Sequence, residues 1–95
     1  MTKIEHIKGT NKGKILLYAL STCIWCKKTK DFLNSLGVEY SYIFVDLMDE
    51  SDKDRIMDEV KKWNPACSFP TIVINDKQCI VGYKEDIIKE ALGLK

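Results

Sequence analysis

Histidine is almost absent from this chain. His6 is the single one, and it lies far in sequence from every cysteine. No imidazole is therefore expected beside a reactive thiol as a general base. Charge of one sign is lacking too. Fifteen Lys and Arg against fourteen Asp and Glu leave a formal net charge of +1. Such a balance argues against nucleic acid or an anionic membrane surface as partner. No long apolar run follows Met1-Thr2-Lys3-Ile4-Glu5-His6 or occurs later. The expectation is a chain with no secretory signal and no membrane span, residing in the cytoplasm. Repeats, low-complexity tracts and linkers are missing as well. The 95 residues are expected to form one domain with a modest core, residues 1–13 being an N-terminal extension.

What the chain does have is four cysteines. In a reducing compartment structural disulfides are uncommon, so the cysteines point to redox or metal chemistry. Two stand together in Ser21-Thr22-Cys23-Ile24-Trp25-Cys26-Lys27-Lys28. Lys14-Ile15-Leu16-Leu17-Tyr18-Ala19-Leu20, just before them, reads as a strand. After them Cys26, Thr29, Phe32, Leu33 and Leu36 recur at helical spacing, up to Gly37. The pair thus falls where a strand ends and a helix begins. Unpartnered N–H groups and the helix dipole make the first turn a better place for a thiolate than water is. The thiolate is the reactive form. Cys23 is expected to be the attacking sulfur. Cys26, almost a turn deeper on the apolar face, is expected to be buried and to resolve.

Further along, Glu39-Tyr40-Ser41-Tyr42-Ile43-Phe44-Val45 reads as a second strand. The acidic segment 46–52 reads as a loop, with Asp49 or Ser51 capping a helix over about 51–63. Ile56, Met57, Val60 and Trp63 lie on one face of that helix, and Asn64-Pro65 ends it. Thr71–Ile74 and Gln78–Val81 form a hairpin across Asn75-Asp76-Lys77. Gly82 closes the hairpin, and a last helix over about 84–92 is expected to bury Ile87, Ile88, Ala91 and Leu92. The fold class is α/β. The first two main strands are parallel, the hairpin is an antiparallel addition, and helices cover both faces of a mixed four-stranded sheet. Lys3–Ile7 is an optional extra edge strand.

Three features coincide: Cys23-Ile24-Trp25-Cys26 at the strand–helix junction, Ser68-Phe69-Pro70-Thr71 opening a hairpin strand, and Gly82 closing it. With the element order, residues 14–92 resemble the thioredoxin superfamily, and its glutaredoxin branch in particular. The resemblance implies a thioredoxin-like fold and a cis Pro70 beside Cys23. It implies that the Phe69 backbone faces the sulfurs and pairs with an extended substrate. Trp25, Phe69, Pro70, Gly82 and Tyr83 become the substrate-contacting residues. The chain departs from the usual pattern at four places. Ile24 replaces proline, Trp25 replaces tyrosine, Leu20 replaces a lysine that binds a glutathione carboxylate, and Val81 interrupts a glycine pair.

The implied activity is thiol–disulfide exchange, with no prosthetic cofactor and no metal. Glutathione enters as a co-substrate, and the partners are disulfide-containing proteins or glutathione, plus an unidentified reductase. A monomer is the default expectation. Cys67, three residues before Pro70, reads either as an accessory thiol or as a small loop residue. Cys79 reads as core. The alternative function is a metal or iron–sulfur carrier using Cys23 and Cys26 or Cys67.

Overall fold

In the computed structural model residues 4–94 are described. The elements follow in the order β1 (Glu5–Ile7), β2 (Ile15–Ala19), α1 (Ile24–Leu36) and β3 (Tyr40–Phe44). A 3-10 turn (Val45–Leu47), α2 (Glu50–Trp63), β4 (Thr71–Ile74), β5 (Gln78–Val81) and α3 (Glu85–Ala91) complete the chain. Among the described residues the sheet has five strands in the order β1-β3-β2-β4-β5. The optional edge strand is therefore present, antiparallel to β3; Lys3, counted in it from sequence, lies outside the described residues. β2 and β3 are parallel, as a strand–helix–strand unit requires, and β4 and β5 extend the sheet antiparallel.

Alternation along the strands divides the core into two layers. Ile15, Leu17, Ala19, Ile72, Ile74 and Ile80 face α1 and α3, where Cys26, Leu33 and Ile88 meet them. Tyr18, Ile43, Val45 and Val73 face α2, where Ile56 and Val60 cover them. Met57 and Trp63 pack at the edge of that second layer. No helix among the described residues is long and apolar enough to cross a membrane.

Helix ends follow local chemistry. Gly37 stops α1 in the left-handed region at φ 68°, with its N–H on the Asn34 carbonyl. Of the two caps considered for α2, Asp49 is the one used; its Oδ1 accepts the Asp52 N–H at 3.0 Å.

Two expectations are corrected. Ile87 is 44% exposed rather than buried. In a helix of seven residues only one narrow face reaches the sheet, and Ile88 and Leu92 occupy it. Val45, read as the end of the strand, and Asp46 and Leu47, read as loop, wind into a 3-10 turn, closed by Met48 N–H on the Val45 carbonyl.

Candidate active site

Strand register gathers the site at one end of the sheet. Ala19 lies opposite Phe44, Tyr18 opposite Thr71, and Thr71 opposite Val81. The chain leaving β2, the chain leaving β3, the chain entering β4 and the chain leaving β5 therefore all emerge together. These are the segments holding Cys23, Asp46, Phe69–Pro70 and Gly82–Tyr83.

Cys23 is the N-cap of α1, with extended φ −87° and ψ 120°. Its N–H bonds the Leu20 carbonyl at 3.2 Å, and its carbonyl accepts the Lys27 N–H at 3.1 Å. Its sulfur takes the place of a capping oxygen and accepts the Cys26 N–H at 3.2 Å. The first turn of α1 carries no acidic residue. Cys23 is half-buried; Cys26 is 1% exposed. Burial first, and then the hydrogen bond to Cys23, push the Cys26 thiol up to about 12. All four cysteines are free thiols.

A polar brace holds the turn that delivers Cys23. The Asp46 carboxylate accepts both the N–H and the hydroxyl of Ser21. Burial works against this charge, but the two bonds from Ser21 prevail and hold the carboxyl below its usual range. Asp46 sits in the 3-10 turn after β3, and no local sequence signal marks it as a site residue. Its acidic neighbours made it look like one more solvated carboxylate.

On the other flank, Phe69–Pro70 is a cis peptide. Pro70 is buried, and its carbonyl accepts the Gly82 N–H at 2.9 Å. Asn64, read from sequence only as a helix stop, organises this segment. Its Nδ2 donates to the Ser68 carbonyl at 3.1 Å, to Ser68 Oγ at 3.0 Å and to Thr71 Oγ1 at 3.2 Å. Its Oδ1 accepts the Ala66 N–H at 3.2 Å. Phe69 is half-buried and touches both core layers. Cys67 occupies the left-handed region at φ 53°, its N–H on the Asn64 carbonyl. Cys79 is half-buried in β5 rather than fully in the core, because its strand is the sheet edge.

The rim is aromatic. Trp25 is 53% exposed and stacks tilted on Tyr83, with ring centroids 6.1 Å apart. Phe32 meets Tyr83 edge-on at 6.1 Å, and the Lys28 ammonium lies 4.7 Å from the Trp25 ring centre. The Tyr83 hydroxyl donates to Glu85 Oε2 at 2.6 Å.

Among the described residues no group of three or more His, Cys, Asp or Glu side chains could hold a metal ion. Cys67 does not complete a ligand set with Cys23 and Cys26.

Residues 15–79 match the family model described as Glutaredoxin. The chain belongs to the glutaredoxin family. Among solved structures, methanoredoxin of Methanosarcina acetivorans is 52% identical, with a TM-score of 0.88 over 90% of each chain. A buckwheat glutaredoxin–glutathione complex is 25% identical, with a TM-score of 0.64 over 87% of this chain and 73% of that one. Glutaredoxin-1 of Oryctolagus cuniculus is 29% identical, over 85% of this chain and 76% of its own. Membership in the family accounts for the thioredoxin-like fold and for thiol–disulfide oxidoreductase chemistry in general.

Proposed function

We propose that this protein is a dithiol oxidoreductase in which Cys23 attacks a target disulfide and Cys26 resolves the intermediate. The observation that carries the reading is the division of labour between the two sulfurs. One caps a helix, half-open to solvent; the other is buried beneath it with its thiol proton held tightly.

In the first step the Cys23 thiolate forms a bond to one sulfur of the target, and the target S–S bond breaks. The leaving sulfur departs as thiolate and takes a proton from solvent. In the second step Cys26 gives up its proton and attacks Cys23. The Cys23–target bond breaks, the second target sulfur leaves as a thiol, and Cys23–Cys26 is left oxidised. Two electrons have then passed to the target, and a separate thiol donor or reductase must return them. Cys26 stays protonated, and so silent, until the mixed disulfide forms beside it.

The targets in this reading are protein disulfides or glutathione mixed disulfides. The glutathione complex of the buckwheat relative supports the second class. Phe69 presents its backbone to an extended substrate, as a peptide adds to an open sheet edge. Gly82 holds the turn that accompanies it. Trp25 and Tyr83 form the lip that the partner meets, Cys67 is the accessory thiol, and the cytoplasm supplies the reducing surroundings.

A disulfide-reduction assay tests the assignment. With a protein disulfide or a glutathione mixed disulfide as substrate, Cys23→Ser is expected to lose at least about a hundredfold in rate. Cys67→Ser retains turnover within a few-fold if its thiol is only accessory. Full activity of Cys23→Ser on both substrates would overturn the reading.

A further inference from the structure

β2 and β3 are parallel, with Ala19 opposite Phe44. Two residues further along each chain, the same register sets Ser21 opposite Asp46. The half-buried carboxylate takes two bonds from that one residue. Its Oδ1 accepts the Ser21 N–H at 2.8 Å, and its Oδ2 accepts the Ser21 hydroxyl at 2.5 Å. The Ser21 N–H belongs to the same planar peptide unit as the Leu20 carbonyl. That carbonyl accepts the Cys23 N–H at 3.2 Å. One peptide plane is thus gripped at both ends, by Asp46 on its N–H side and by Cys23 on its C=O side. Swinging the plane would break both bonds at once. Ser21 itself is exposed, so packing does not hold the turn in place of these bonds.

We infer that Asp46 is a positioning residue for the second step of exchange: by gripping the Leu20–Ser21 peptide it holds Cys23 where Cys26 can displace the captured partner. The inference rests on the oxidoreductase reading and adds a residue to it. Resolution needs this hold more than capture does. In capture the partner comes to the Cys23 sulfur from solvent and adjusts its approach. In resolution the attacking sulfur is fixed in the apolar layer under α1, so the Cys23–partner bond must already lie in line with it. Cys26 then loses its proton to solvent and bonds Cys23. The Cys23–partner bond breaks, and the partner leaves as thiolate with the electron pair.

Asp46 also acts through its charge. The carboxylate is among the groups that push the Cys26 thiol up, behind burial and Cys23, whereas the Leu20 backbone in the gripped turn pulls it down. Lys27, Lys30 and Asp31 of α1 line the groove beside Cys23, and Lys53 of α2 acts on Asp46. Grip and charge oppose each other in their effect on resolution, and substitutions separate them. Asp46→Ala removes both. Asp46→Asn removes the charge but keeps an oxygen for the Ser21 N–H.

Stopped-flow reaction of the reduced protein, in excess, with dithiobisnitrobenzoate reads the two steps apart. Capture releases one thionitrobenzoate. Resolution releases the second at a rate independent of protein concentration, and Cys26→Ser lacks that phase. Asp46→Ala and Asp46→Asn both lack the charge, so the ratio of their resolution rates isolates the grip. Asp46→Asn is expected to resolve at least about tenfold faster than Asp46→Ala, with capture by the two within about threefold. Asp46→Leu, of similar shape to Asp46→Asn but without an acceptor, makes the same comparison should Asp46→Ala not fold. Relative to wild type, the rise of resolution with pH in Asp46→Asn is expected at lower pH, because Cys26 ionises more readily without the neighbouring charge. Equal resolution with and without the acceptor, or capture and resolution slowed alike, would overturn the inference and leave the oxidoreductase reading standing. No second release from wild type would instead sink the oxidoreductase reading.

Discussion

A single backbone N–H separates the roles of the two cysteines. The Cys26 N–H points at the Cys23 sulfur, while the Cys26 sulfur is enclosed by the layer under α1. Limiting iodoacetamide near neutral pH is therefore expected to label Cys23 at least about tenfold faster than Cys26, since the thiolate is what alkylates. Peptide mapping by mass spectrometry reads the ratio directly. Most of this was legible in the residues alone, because a Cys-x-x-Cys at a strand–helix junction fixes both positions relative to the helix start. Asp46 was not legible. It reaches the site through pairing in the sheet, across a distance in sequence that no local pattern records.

Asn64 shows how one element can serve another. It is the C-cap of α2, yet its side chain shapes the approach to β4, its two amide hydrogens shared among three acceptors and its oxygen accepting one bond. Asn64→Ala strips a buried amide from partners that include the buried Thr71. It is expected to cost about 1–3 kcal/mol of stability, measured by denaturant unfolding. It is also expected to lower exchange activity with protein substrates more than labelling of Cys23, because the Phe69–Pro70 segment loses its anchor. The sequence offered Asn64-Pro65 as a stop signal, which it is; the second role needed the loop to fold back. The same limit explains Ile87. Periodicity marks which residues are apolar, but the length of helix in contact with the sheet decides how many are covered.

Across the whole molecule, three buried acids share a direction of shift. Burial is the largest cause in each: it pushes Tyr18 and Tyr40 from 10.0 up to about 12, and Cys26 from 9.0 up to about 12. The Glu59 carboxylate adds to the effect at Tyr18, and Tyr42 and Asp31 add to it at Tyr40. In each case the unfolded chain gives up its proton at lower pH than the folded one. Their contribution is then complete below pH 9 and is lost as pH rises toward 12. Urea midpoints are expected to hold steady through neutral pH and to fall between pH 9 and 12. Tyr40→Phe is expected to flatten part of that fall. A midpoint that stays level to pH 12 would contradict the burial of these groups. The layered architecture that buries them was readable from strand and helix order, including the parallel β2–β3 pair. The pairing of β1 beside β3 is not readable from the sequence, because a three-residue edge strand carries too little pattern to declare its partner.

The most direct measurement is the intact mass of Cys26→Ser after exposure to a glutathione disulfide or a protein disulfide under non-reducing conditions. The account predicts a stable adduct, one partner per chain, mapped to Cys23 and absent when Cys23 is also changed to serine. An adduct on Cys67 or Cys79 in its place, or rapid turnover with no adduct at all, would contradict it.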